Sequence, residues 1–191
     1  MKLTYLISSI ILLAHPYALA NENDPSKLCN SAAKLYKDGD LEGALEEARW
    51  CVTQLEQLKQ NQTATYFKKE IHGYLGNKVS QQTAMGMTIV ERRYKKDDKV
   101  IQVTLTGGSS GGAMSAFSAL AQMGTMAAGT NKVRIQRRTA TINNDSGNVT
   151  VMVSLKSGSM LNFQSNNVSQ EELLRFAKAF PVKELDNSLQ E

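Results

Sequence analysis

Histidine, cysteine, proline and tryptophan are all scarce. The 191-residue chain has two histidines, two cysteines, three prolines and one tryptophan. One histidine, His15, sits in an apolar leader, so His72 stands alone in the rest of the chain. A serine relay needs a histidine as its base, and zinc ordinarily takes four nitrogen or sulfur ligands. Neither chemistry has its usual material, and no metal or cofactor is expected. Aromatic residues make up only 6% of the chain, which predicts a core of Val, Ile, Leu, Met and Ala. The net charge of +4 is mild and argues against a dedicated nucleic-acid binder, which would carry a stronger basic face.

Residues 1–20 read as a signal peptide. Lys2 is followed by an apolar run, Leu3 to Ala14, too short to span a bilayer, and Ala18-Leu19-Ala20 is a small-x-small cleavage signal. Cleavage near Ala20 predicts a periplasmic or secreted protein of roughly 170 residues, enough for one domain and a small appendage. No later run is long enough for a transmembrane segment. In an oxidising compartment a Cys29–Cys51 disulfide is the default.

Residues 21–58 predict a helical hairpin. Asp24-Pro25 starts the first helix, Gly39 ends it, and Asp40 caps the second. Leu41, Ala44, Leu45, Ala48, Cys51, Val52, Leu55 and Leu58 give the second helix its amphipathic rhythm. Cys29 and Cys51 fall at nearly the same height on the two helices, so a bridge between them is geometrically sound. The polar stretch Lys59 to Thr65 reads as the boundary to a second domain, residues 66–182.

That domain predicts a short strand and turn within Tyr66 to Gly76, then a long strand from Met85 to Tyr94. A charged turn leads to a strand over Val100–Thr106, and a small-residue helix follows over Ala113–Ala128. A strand from Val133 runs on through Arg137-Arg138 toward Ile142. Strands over 149–155 and 160–165 follow, joined by a glycine turn. Ser169 and Glu172 read as a capping box, Val168 and Leu173 as a staple, and Pro181 as the helix stop. Residues 183–191 read as a polar, frayed tail. The fold class is therefore α+β: an N-terminal two-helix hairpin packed on an antiparallel sheet covered by helices.

Ala33, Tyr36, Gly39-Asp40, Ala44-Leu45 and Ala48 make the hairpin resemble a single tetratricopeptide unit; one unit builds neither a solenoid nor its groove. The order β-β-α-β-β-β-α over about 120 residues resembles Mog1/PsbP-like domains of exported bacterial proteins. That resemblance implies a fold and an accessory or assembly role, or inhibition of a toxin.

Three constellations are candidate sites. The loop Gly107-Gly108-Ser109-Ser110-Gly111-Gly112 matches G-x-S-x-G between a strand and a helix, which would suit a small hydrolase. It lacks a downstream histidine and meets neither phosphate-loop pattern, so glycines that let the chain leave a sheet explain it better. Met85, Met87, Met114, Met123, Met126, Met152 and Met160 could in principle hold Cu(I), but core filling is the stronger reading. Arg92, Arg93, Lys95 and Lys96 form one basic group, and Arg134, Arg137 and Arg138 another. If their strands are neighbours, the two make one patch for an anionic envelope component or acidic protein. The expectation is a non-enzymatic binding or accessory protein of the bacterial envelope, acting through protein–protein or anionic-ligand contacts.

Overall fold

The structure, a computed structural model, describes residues 24–84, 87–108 and 131–190. The expected signal peptide, the helix over 113–128 and four of the methionines (Met85, Met114, Met123 and Met126) lie outside the described residues. The chain divides into two compact units between Glu56 and Gln57.

The first unit is the helical hairpin. Helix α1 (Pro25–Lys37) starts where Asp24 accepts a hydrogen bond from the Ser26 N–H, with Pro25 in the first turn. Gly39 has φ +85°, a conformation that costs glycine little, and it turns the chain after Asp38. The Asp40 carboxylate accepts from the Gly43 N–H at 2.9 Å and so caps α2 (Leu41–Thr65). Cys29 and Cys51 are joined in a disulfide, with Cα atoms 5.2 Å apart. Among the described apolar residues of this unit, only Ala44 and Cys51 are buried.

Residues Lys59–Thr65 were expected to be a linker, yet they continue α2. Polarity did not break the helix because this stretch carries no glycine or proline, and Gln60 finds partners for both its side chain and its carbonyl. In the second unit, Gln60 donates to Thr83 at 2.8 Å, and Gln81 donates to the Gln60 carbonyl at 2.7 Å.

Among the described residues the second unit holds an antiparallel sheet of nine strands: β1 (Glu70–Ile71), β2 (Tyr74–Gly76), β3 (Ser80–Ala84), β4 (Met87–Lys96), β5 (Lys99–Gly108), β6 (Asn131–Ile135), β7 (Arg138–Asp145), β8 (Asn148–Ser154) and β9 (Met160–Ser165). The order across the sheet is β1-β2-β4-β5-β9-β8-β7-β6, with β3 also paired to β4. The hairpin helices and this sheet make the fold α+β, as expected from the element order.

Strand β3 was not anticipated; it pairs with β4 from Ser80↔Glu91 to Ala84↔Met87. The run from Val133 toward Ile142, expected to be one strand, is divided by a turn at Gln136-Arg137, both with positive φ (46° and 66°), which folds β6 back onto β7. Nothing in Gln-Arg signals such a turn, because the usual glycine or asparagine is missing.

The core lies on one face of the sheet under α3 (Gln170–Ala179) and α4 (Val182–Ser188). Alternate residues of each strand enter it: Val90 and Tyr94, Ile101 and Val103, Leu161 and Phe163, Val151 and Val153. Its hub is aromatic, against the expectation from composition. Phe176 meets the rings of Tyr74, Tyr94 and Phe163 edge-on, and Phe180 meets Phe67 and Phe163 in the same way. Half of the chain's twelve aromatic residues converge here, so a small number of rings goes far. The described methionines, Met87, Met152 and Met160, are half-buried on other ladder positions and do not enter this core.

Residues 182–188 form a helix where a frayed tail was expected, with Val182, Leu185 and Asp186 buried. Val182 and Leu185 are spaced i, i+3, and that pair supplies the apolar stripe of this short helix.

Candidate functional site

The two basic groups do not make one patch. Arg92 alternates onto the core face with Val90 and Tyr94 and is buried. Its guanidinium donates to the Phe67 carbonyl and, at 2.9 Å, to the Gly76 carbonyl. Gly76 has to be glycine, because a Cβ there would collide with the Arg92 side chain. Arg138 is buried as well, paired with Asp186. Both arginines are therefore structural.

Arg93, Lys95 and Lys96 remain exposed on β4, and Arg134 and Arg137 on β6 and its turn. Strands β5, β9, β8 and β7 lie between β4 and β6. Five strand steps at the ordinary spacing amount to roughly 24 Å, about three times a physiological Debye length. The two groups act as separate charges. The sequence concealed this because Arg92 and Arg138 alternate inward on their strands.

Of the glycine loop, Gly107 and Gly108 are the last residues of β5, opposite Thr88 and Met87. A Cβ on Gly107 would stand 2.6 Å from the Ser159 hydroxyl, so the glycine permits a close strand contact. Ser109, Ser110, Gly111 and Gly112 lie outside the described residues. His72 is exposed in the β1–β2 turn with φ 53°, followed by Gly73 at 76°, a pair suited to a tight hairpin. Among the described residues no group of three or more His, Cys, Asp or Glu side chains is placed to hold a metal.

Two other surfaces have more form. On the hairpin, α2 exposes Leu41, Leu45, Val52 and Leu55, whose relative exposures run from 45% to 59%. With Ala48 they are spaced 4-3-4-3, a 3.5-residue period that keeps them on one stripe of the helix. Glu42 and Glu56 border the stripe, with Arg49 between them, and Glu46 lies farther round the helix.

The second surface is a groove of about 520 Å³ on the polar face of the sheet. Arg93, Gln102 and Gln164 stand directly opposite one another on β4, β5 and β9, and Asn148, Ser165 and Asn166 close the end. The wall is held firmly. Ser165 donates to the Val100 carbonyl at 2.6 Å, while Asn167 accepts from the Val100 N–H and donates to the Asp98 carbonyl. Of these residues only Arg93 was singled out from sequence, as part of a basic group; the ladder register is what gathers the set.

No family model, curated protein or solved structure matches this chain.

Proposed function

We propose that this is an exported, non-enzymatic accessory protein of the bacterial envelope that binds a partner protein through its disulfide-linked hairpin. The observation that carries the reading is the stripe Leu41-Leu45-Ala48-Val52-Leu55, exposed at every position but Ala48. A regular apolar seam in water marks an interaction surface, and a 3.5-residue period suits a second helix packed along it. The border, two glutamates to one arginine, favours a helix with basic flanks. The Cys29–Cys51 bridge fits an oxidising compartment and holds the seam's helix against α1. Among the described residues no helix is long and apolar enough to cross a membrane.

Site-specific photocrosslinking in the native envelope tests this. A crosslinker at Val52 or Leu55 should trap a partner through a helical apolar segment, and one at Glu46 should not. The double substitution Leu45→Asp, Val52→Asp should abolish the adduct while the sheet keeps its stability. An unchanged set of adducts in that variant, or adducts to a second copy of this chain alone, would refute the partner reading.

A further inference from the structure

We infer that the groove on the polar face of the sheet is a binding site for an acidic sugar: a polyhydroxylated ring carrying one carboxylate. The inference is independent of the hairpin and rests on the chemistry of the lining.

Six of the seven lining residues offer hydrogen-bonding side chains: Arg93, Gln102, Asn148, Gln164, Ser165 and Asn166. None is a carboxylate and one is a permanent cation. Internal bonds use only part of this capacity. Gln102 donates through Nε2 to Glu91 at 2.9 Å, which leaves its Oε1 as an acceptor toward the groove. Gln164 donates through Nε2 to Asn148 Oδ1 at 3.3 Å, which leaves Gln164 Oε1 as an acceptor and Asn148 Nδ2 as a donor. Arg93 stands 3.6 Å from Glu91 through Nε, and its side chain is 63% exposed. Among the described residues no hydrogen bond occupies its two η nitrogens.

Across β4, β5, β9 and β8 the free groups run donor (Arg93), acceptor (Gln102), acceptor (Gln164) and donor (Asn148). A sugar hydroxyl both donates and accepts, so adjacent hydroxyls on a ring match such a row, whereas an apolar or purely anionic ligand would use half of it. The guanidinium fork at one end selects a carboxylate bidentately. The volume, about 520 Å³, lies within the usual range for small-molecule sites. The site is also preorganised: three of its members sit on paired strands, and the Ser165–Asn167 wall is pinned to the start of β5.

The experiment is a chemical-shift titration of the full mature protein with glucuronate, galacturonate and N-acetylmuramate, with glucose and acetate as controls. At least one acidic sugar should give saturable shifts at Arg93, Gln102, Asn148, Gln164 and Asn166. It should bind about tenfold more tightly than glucose, the worth of one charge-assisted fork. Arg93→Gln should remove that preference, and Gln102→Ala with Gln164→Ala should remove saturable binding of both sugars. All three positions are at the surface, and the unfolding midpoint of each variant reports whether the fold survives. Should none of the three acidic sugars shift these residues, or should acetate match them, the inference is overturned. Shifts confined to residues outside the groove overturn it equally.

Discussion

Arg138 and Asp186, 48 positions apart, form an ion pair that is almost wholly sealed from water: their side chains are 5% and 0% exposed. The pair joins the first residue of β7 to α4. Asp186 also accepts from the backbone N–H groups of Lys156 and Ser157, at 3.0 and 2.9 Å, and so ties the β8–β9 turn to the same helix. Burial pushes the Asp186 carboxyl up, but the Ser157 and Lys156 N–H groups and the Arg138 guanidinium outweigh it and hold it below its usual value. Asp186→Ala leaves a buried guanidinium without its counter-charge and two N–H groups without their acceptor. It should cost about 3–5 kcal/mol in urea unfolding. Arg138→Met combined with Asp186→Leu should lose less than the sum of the two single changes, because no unpaired charge remains.

Glu172 makes a second, wetter junction. It accepts from Lys99 at 2.8 Å and from the Tyr74 hydroxyl at 2.7 Å, so α3 is fastened to the start of β5 and to β2. The Lys99 bond first, then the Tyr74 bond, hold Glu172 below its ordinary 4.5. Because its folded value is depressed, its stabilisation is complete above pH 4.5 and is lost as pH falls through the lower folded value. Glu172→Gln should therefore destabilise the protein at pH 7, by about 1 kcal/mol given that Lys99 is exposed. The difference should vanish near pH 2. Equal sensitivity at both pH values would show that the charge contributes nothing.

Much of the fold was legible in local signals. Asp24-Pro25, Gly39-Asp40 and the spacing of Cys29 and Cys51 disclosed the hairpin, because capping and helical rise are short-range matters. Alternation over Val149, Val151 and Val153 and over Leu161 and Phe163 disclosed β8 and β9. What failed was non-local. Ser169 does cap α3, at 3.3 Å from the Glu172 N–H, yet the Glu172 side chain leaves the cap for Lys99 and Tyr74. Arg92 and Arg138 looked like surface charge until the inward phase of their strands met a carbonyl pair and Asp186. The groove depends on the register Arg93↔Gln102↔Gln164, and a single strand carries no record of its neighbour.

The β6–β7 turn separates backbone cost from side-chain gain. Gln136 and Arg137 both occupy the left-handed region, unusual for non-glycine residues. The Gln136 amide compensates: it donates to the Lys178 and Phe180 carbonyls and accepts from the Lys183 N–H at 2.8 Å, clamping the junction between α3 and α4. Arg137 is exposed and has no such role among the described residues. Arg137→Gly should stabilise the protein by about 1 kcal/mol, as strain is relieved. Gln136→Gly relieves the same strain but frees three backbone groups, and should destabilise by about 1–3 kcal/mol. Thermal unfolding of the two variants under one set of conditions would show shifts of opposite sign. Shifts of the same sign would mean that the clamp or the strain has been misjudged.

The disulfide should matter to the hairpin far more than to the sheet. Cys29 and Cys51 are 22 residues apart, and closing a loop of that size in the unfolded chain removes entropy worth about 3 kcal/mol. The hairpin has little else to offset that loss, since none of the residues of α1 is buried and α2 turns its Leu41-Leu45-Val52-Leu55 stripe to water. The sheet unit has its own aromatic hub and does not depend on the bridge for its core. Hydrogen exchange on the oxidised protein and on a Cys29→Ser, Cys51→Ser variant should therefore show protection falling across residues 25–56. Protection in Ile101, Val103, Leu161 and Phe163 should remain. If the bridge instead served only to complete a shared core, both sets of amides would lose protection together. The same variant should weaken photocrosslinking from Val52, because a frayed α2 no longer presents its apolar residues along one line.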